Sequence, residues 1–475
     1  MSDSKKLVKN TTIYALGDII PRFLSFISFP ILTRYLLPSD YGIVNYVNAL
    51  TTFLMAFGFL CINTYYLVHY YRCENITDQK KLLGNLFSFV IGFNLFIVVL
   101  FLLFGNYIFQ FLGSKISFYP YIVIALAFNF FNVFAVLPSA LYRLLEKPML
   151  LTIINVSNGV LTMALTFVLV IHYKYTALGV LYANLIVSFL FSFVFLYTIK
   201  EHIIWNFNFR QIKTVLTFSL PLLPGTIAYY VTTLSDRILI NKYLTLNDLG
   251  IYGTASTLAL ILTIFSNGAY KAFEPHIFKK WGSEGFKNTF ESLRNGFIYI
   301  LLIGVLCLSV FSKEFFQIMT NVKFHSAYWY VPIIIIGVYS SSISMLYGTI
   351  ITAKGKTKIS SLINTTGAGI SIVLNILLLQ RYGLIVAAIV SSFAMTVMMS
   401  ISIWYSGLKI ERLKPFLSIL ISAIAIYVLV YMIDIKQIVL SIVFKMFVVS
   451  IVIYVISLIL SINPFKLIGD LKVKK

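Results

Sequence analysis

Charge is what this 475-residue chain has least of: 11% of its residues are Asp, Glu, Lys or Arg, and only 16 are acidic against 37 basic. Soluble globular proteins carry about 25% charged residues, so a water-facing surface wrapped around one apolar core is excluded. With 59% hydrophobic residues and a mean hydropathy of +0.91, the chain reads as a polytopic membrane protein. Cysteine is scarce too. Cys61, Cys73 and Cys307 form no close-spaced pair, which argues against a disulfide framework or a thiolate metal site. HExxH, GxSxG and a phosphate-cradling loop are missing, and AKGKTK near Gly348 to Lys356 lacks Walker spacing and reads as a basic turn. Neither a cofactor nor a catalytic constellation is indicated, so an enzyme is not expected.

What the chain has in plenty is long apolar runs. A spanning helix needs about 20 mostly apolar residues. Segments of that kind lie near 11–36, 42–71, 82–105, 117–142, 149–172, 176–199, 214–241, 248–272, 295–312, 327–351, 359–380, 383–408, 415–433 and 438–461. Backbone amides in hydrocarbon must be paired within the segment, and runs of this length suit helices rather than barrel strands. The expectation is an all-α fold of about fourteen transmembrane helices. MSDSKKLVKN leads into an apolar segment with no small-residue cleavage site, so the first helix is expected to stay.

The net charge of +21 could suggest nucleic acid, but its placement decides otherwise. With the N-terminus inside, 26 Lys and Arg fall on the inner side, eight on the outer side, and Arg22, Arg237 and Lys445 within segments. That asymmetry is the positive-inside signal and predicts both termini to be cytoplasmic. The excess charge also attracts anionic lipid headgroups.

An internal repeat organises the chain. YLLPSDYGI at 35–43 returns as YLTLNDLGI at 243–251, an offset of 208, and INVSNG at Asn155 matches INTTGA at Asn364. The expected division is a six-helix bundle over 1–199, a basic and aromatic connector over 200–213, a second six-helix bundle over 214–408, and two appended helices with a basic tail over 409–475. Both bundles begin on the same side, so the repeats are parallel, related by a pseudo-two-fold. Two such bundles around a midplane site form a transporter architecture suited to alternating access. The longest loop, about 271–294, falls inside, and no large outer loop leaves room for a catalytic domain.

Intramembrane charges are the informative residues, because each costs about 2.5 to 3.5 kcal/mol at a helix centre unless it faces protein or a wet cavity. Arg22 lies about 16 Å from the inner end of its helix at 1.5 Å per residue. Asp18 stands one turn before it on the same face, and the pair could serve function or merely neutralise itself. Asp236 and Arg237 lie further out on the seventh segment, about 33 Å from its inner end. Two basic stations at different depths would suit an anion. Pro21, Pro30, Pro221 and Pro224 break the two opening helices and are candidate hinges, or static kinks. Polar stripes at Asn45, Asn48 and Thr52, at Asn129 and Asn132, at Asn155, Asn158 and Thr162, and at Asn364, Ser371 and Asn375 each mark one helix face. They line a polar interior or make interhelical hydrogen bonds. Lys445 would snorkel or meet a lipid phosphate. Tyr65, Tyr66, Tyr70 and Tyr71 could stack on sugars.

KNTTIYALGDIIPRFLSFISFPILTRYLLPSDYGIVNYV resembles the N-terminal signature of the Wzx O-antigen flippases, polysaccharide exporters of the multidrug/oligosaccharidyl-lipid/polysaccharide superfamily. SDRILINKYLTLNDLGIY and YKAFEPHIFKKW are similar to the same family. The resemblance implies flipping of an undecaprenyl-diphosphate-linked oligosaccharide toward the outer leaflet of a bacterial inner membrane. It implies that Arg22 and Arg237 contact the diphosphate, that Asn45, Asn48, Asn155 and Asn364 hold sugar, and that Asp18 and Asp236 couple transport to protons or a cation. A polysaccharide polymerase and a chain-length regulator are implied as partners. Within the superfamily, the lipid II flippase and a multidrug extruder are the alternatives. A polymerase or a non-transporting structural partner is the reading from other classes.

Overall fold

A computed structural model of the chain describes residues 3–408, 414–433 and 437–459, and all regular structure among them is helical. In chain order the helices are α1 (Asp3–Tyr35), α2 (Pro38–Phe59), α3 (Ile62–His69), α4 (Ile76–Phe111), α5 (Val123–Leu144), α6 (Pro148–Phe167), α7 (Ala177–Ile199), α8 (Phe209–Ser219) and α9 (Leu223–Tyr243). They continue as α10 (Leu246–Lys280), α11 (Phe286–Val310), α12 (Ser312–Met319), α13 (Val331–Ala353), α14 (Thr357–Tyr382), α15 (Leu384–Ser406), α16 (Lys414–Ile426) and α17 (Ile438–Ile459). Twelve helical spans among the described residues are long and apolar enough to cross a membrane. The sequence count of about fourteen also included α1, which carries several charges, and the 415–433 segment, whose apolar helix Ile419–Val430 is shorter.

The expected boundaries shift in three places, each for a local reason. The 42–71 segment is two helices, broken where Leu60 and Cys61 take φ of 46° and 57°. Neither left-handed residue is a glycine; the nearest, Gly58, lies within the last turn of α2. The 214–241 segment starts earlier, at Asn208, whose side chain caps Gln211 N at 3.2 Å, and Pro221 interrupts it with a 3-10 turn over Leu220–Leu222. The supposed long loop at 271–294 is mostly helix, because α10 runs to Lys280 and α11 begins at Phe286. Its polar composition belongs to helix ends beyond the apolar stretch.

The chain divides into two compact units, Met1–Gly250 and Ile251–Lys475. In the first, α1 lies along α6, α5 along α7, and α2 along α9. Leu83, Leu86, Phe87, Val90, Val133, Leu137, Tyr142 and Ile199 form its buried core. The packing of α9 on α2 draws the start of the second sequence repeat into this unit. The repeat divides the chain by sequence and the contacts divide it by packing. The connector is fixed to α4: Ile204 N donates to Lys80 O at 3.1 Å, and buried Asn85 bonds Asn208 N at 2.9 Å and Gln211 Oε1 at 2.6 Å. His202 in this connector is held below its ordinary value by burial, then by Lys147 and Lys80.

In the second unit, α13 and α15 pack through small residues. Ser344 and Ser402 hydroxyls meet at 2.8 Å, Ser340 and Thr396 at 3.0 Å, and Gly337 lies against Ser392. α17 docks on α11 and α16. Lys445 is 2% exposed and donates to Glu314 Oε1 at 2.6 Å and to Val310 O at 3.1 Å, while Ser441 Oγ donates to the same Oε1 at 2.6 Å. It is thus neither a snorkelling nor a lipid-facing lysine. Glu314, in the first turn of the short α12, supplies the partner that the sequence of α17 could not announce.

Candidate functional site

A polar cavity lies inside the first unit, and two glycines set its frame. A Cβ on Gly17 would stand 2.6 Å from Thr152 Oγ1, and one on Gly159 would stand 3.1 Å from Pro21 Cβ. Their absence lets α1 and α6 approach closely, and Thr152 Oγ1 donates to Ile13 O at 2.8 Å across the crossing. Pro21 has no N–H for the Gly17 carbonyl one turn earlier, so that carbonyl lacks its usual intrahelical donor.

Between α1, α5, α6 and α7 opens a cavity of about 300 Å³. Its polar lining is Arg22 from α1, Asn132 from α5, Asn155 and Asn158 from α6, and Ser188 and Ser192 from α7. Phe131, Phe191 and Phe195 give it apolar walls. Ser188 and Ser192 donate to Leu185 O at 2.9 Å and Phe189 O at 2.6 Å, which directs their protons into the helix and leaves lone pairs as acceptors. Asn132 Nδ2 donates to Phe128 O at 3.2 Å. Arg22 brings five N–H donors and a fixed positive charge into a lining otherwise made of amides, hydroxyls and rings. Such a set suits an anion attached to a hydroxyl-rich group: guanidinium for phosphate oxygens, neutral amides for hydroxyls.

The structure brings Arg22 and Asn155 together in this cavity, with Pro21 in its wall. Asp18 lies on α1, and its side chain is outside the described ones. Asn45 and Asn48 sit elsewhere, on α2, where Asn45 Nδ2 donates to Tyr41 O at 2.9 Å and Asn48 is exposed. Asp236, 3% exposed, and half-buried Arg237 are on α9, away from the lining. Asn364 belongs to α14 of the second unit. Pro30 stays within a continuous α1, Pro221 carries the 3-10 interruption, and Pro224 stands at the start of α9. Ser188 and Ser192 escaped sequence reading. Their i, i+4 spacing was the available signal, hidden in an otherwise oily segment.

The tyrosine cluster does not offer a sugar platform. Tyr65, Tyr66 and Tyr70 are all under a tenth exposed, and Tyr65 stacks on His69 at 3.9 Å and edges Phe218 at 5.5 Å. Only Tyr71 is open among the four, and its hydroxyl donates to Leu144 O at 2.7 Å.

A family model described as polysaccharide biosynthesis protein matches residues 7–281, more than half of the chain and all of the cavity. The chain belongs to that family. A second model, MatE, matches residues 221–377 of this polysaccharide biosynthesis family member. Both matches agree with the exporter superfamily that the N-terminal signature resembles. A Haemophilus influenzae protein of the Lsg locus is 26% identical over 287 residues, 58% of this chain and 66% of that protein. The chain thus spans just under two-thirds of that relative. A Shigella flexneri protein described as a candidate O-antigen transporter is 22% identical over 396 residues, 81% of this chain and 93% of its own. Among solved structures, the lipid II flippase MurJ in an inward closed conformation superposes with a TM-score of 0.74 at 16% identity, covering 94% of this chain and 98% of that one. The likeness is one of fold.

Proposed function

We propose that this family member flips an undecaprenyl-diphosphate-linked oligosaccharide, an O-antigen or other surface polysaccharide unit, from the cytoplasmic to the periplasmic leaflet of a bacterial inner membrane. The reading has both termini cytoplasmic, two parallel bundles over 1–199 and 214–408 working by alternating access, and a connector over 200–213. The polyprenyl tail stays in lipid beside the last two helices, and Asp18 and Asp236 couple the step to a proton or sodium gradient. A polymerase and a chain-length regulator would take the product onward.

The observation that carries this reading is the cavity around Arg22. An exposed guanidinium that shares a cavity lining with Asn132, Asn155, Asn158, Ser188 and Ser192 offers bidentate donors for a diphosphate, and the amides and hydroxyls offer neutral partners for sugar hydroxyls. A multidrug extruder would call for a more apolar lining. The family match and the Shigella relative's description support a polysaccharide precursor over lipid II.

The test is reconstitution in liposomes carrying a fluorescent lipid-diphosphate oligosaccharide. Arg22→Ala should lower flipping about 10- to 100-fold, as loss of a charge-assisted bond of 1.5 to 3 kcal/mol implies. Lys81→Ala, an exposed cation outside the cavity, should leave it unchanged. Equal rates for the two variants would remove Arg22 from the substrate path. A rate indifferent to imposed pH and sodium gradients would remove the coupling role of Asp18 and Asp236.

A further inference from the structure

Tyr270, near the end of the apolar stretch of α10, joins two side chains that neither the cavity nor the transport step above uses. Its hydroxyl donates to Glu274 Oε1 at 2.8 Å, one turn further along α10, and lies 2.8 Å from Thr349 Oγ1 on α13. Thr349 is 3% exposed, and its own hydroxyl donates to Met345 O at 3.2 Å. A chain of polar atoms therefore runs from a half-buried carboxylate on one helix to a backbone carbonyl on another, all within the unit Ile251–Lys475. The apolar span of α10 closes at Lys271, so Glu274 stands just beyond it, on the side that the basic residues predict to be inner.

This chain accommodates two protonation states. An ionised Glu274 only accepts, so the Tyr270 proton goes to it, and the Thr349 proton turns from Met345 O to the nearer Tyr270 oxygen. A protonated Glu274 donates to the Tyr270 oxygen, Tyr270 donates to Thr349 Oγ1, and Thr349 donates to Met345 O. Each state leaves every hydroxyl proton with an acceptor, so a proton enters or leaves without stranding a buried donor. A static tie between α10 and α13 needs only the two hydroxyls; the carboxylate at its end adds the capacity to titrate.

The other titratable groups around the chain are few. α13 has no Asp, Glu, Lys or Arg, and its Tyr339 and Tyr347 are buried, with Tyr347 edged on Phe290. α11 meets α10 where Phe297 edges Phe273 at 5.9 Å, and its Arg294 and Glu291 lie about one and two turns before that contact. Arg294 donates to Asn295 Oδ1 at 3.0 and 2.8 Å and reaches Glu291 Oε1 at 3.6 Å. On α10 itself Lys271 is exposed, and the side chains of His276, Lys279 and Lys280 lie outside the described ones.

We propose that Glu274 is a proton-binding site of the transport cycle, with Tyr270 and Thr349 as positioning residues that pair it in both charge states. The ligand is the proton itself, exchanged with water on the inner side: the carboxylate becomes a neutral acid on uptake and regains its charge on release. The assignment rests on the transport reading above and adds a coupling carboxylate to Asp18 and Asp236.

The experiment is an infrared pH titration of the protein in liposomes, following the carboxylic-acid C=O stretch, beside gradient-driven flipping of the fluorescent lipid-diphosphate oligosaccharide. A band that titrates in the wild type should vanish in Glu274→Gln, whose flipping should no longer follow an imposed pH gradient. Tyr270→Phe removes the donor to the carboxylate and should raise the midpoint of that band by about one pH unit. Thr349→Val leaves the Tyr270 proton without an acceptor in the acid state and should lower the midpoint, while Thr349→Ser should restore it. The hydroxyl variants change one small group each, so the opposite shifts can be read even where Glu274→Gln fails to fold. A band untouched by Glu274→Gln, or midpoints that move the same way or not at all in Tyr270→Phe and Thr349→Val, overturns the proton site. Flipping by Glu274→Gln that still follows the pH gradient removes the site from the transport cycle. Opposite shifts in liposomes that flip no lipid-diphosphate oligosaccharide support the proton site while refuting the substrate.

Discussion

Lys445 and Glu314 show how a charge can mislead when only its own segment is read. Lysine on an oily final helix suggests lipid contact, yet both side chains are buried, at 3% and 5% relative exposure, and joined at 2.6 Å. Removing two ions from water is expensive, and a well-packed apolar pair often does as well; removing one partner leaves a buried charge alone. Lys445→Met or Glu314→Met should therefore destabilise the protein by about 3 to 5 kcal/mol, while the double variant Glu314→Met/Lys445→Met should recover most of that loss. Thermal unfolding in detergent, read as a double-mutant cycle, checks it. Additive losses would mean that the pair does not hold α17 to α11 and α12. Arg22 is the opposite case: its mid-helix position marked it in the sequence, and the cavity shows which polar side chains share its lining.

At the scale of elements, apolar runs were legible, while helix starts and the break at Leu60–Cys61 were not. The helices begin before the apolar runs do, at side-chain caps on Asp40, Asn75, Asn208 and Asp248 that a count of apolar residues passes over. The break at Leu60–Cys61 puts two non-glycine residues in the left-handed region, which side chains rarely adopt, so residue type at those positions does not reveal it. The connector after α7 reads in the sequence only as basic and aromatic, and its backbone lies flush on α4. A Cβ on Gly84 would strike the Ile204 carbonyl, and Asn85, wholly buried, holds Asn208 and Gln211. Losing a buried amide that serves several partners costs about 1 to 3 kcal/mol. Asn85→Ala should accordingly release residues 200–208 and make the connector a site of rapid proteolysis, with the rest of the chain still protected. Unchanged cleavage would show that Gly84 packing alone retains it.

For the whole molecule, the repeat was visible in the sequence and its meaning was not, because an offset of 208 says nothing about contact. Only the structure shows Gly42 and Gly250 meeting each other's motif, and that α9 packs with α2. The polar cavity was half legible for a related reason: asparagine stripes identify faces, but which faces converge depends on packing, so Asn132, Asn155 and Asn158 share a site that Asn45 and Asn48 do not join. Orientation rests on the 26 to eight division of basic residues. Single cysteines at the exposed positions Lys174 and Lys323 should react with a membrane-impermeant maleimide on intact spheroplasts. Cysteines at exposed Lys81 and Lys356 should react only after permeabilisation. Each pair takes one position from either compact unit, so agreement within a pair also tests that both units are inserted in the same sense, as parallel repeats require. Reversed labelling throughout would place both termini outside and overturn the orientation read from the basic residues. Labelling that differs between the two units would instead refute the parallel repeat, since the motif copies could then no longer start their helices from one side of the membrane.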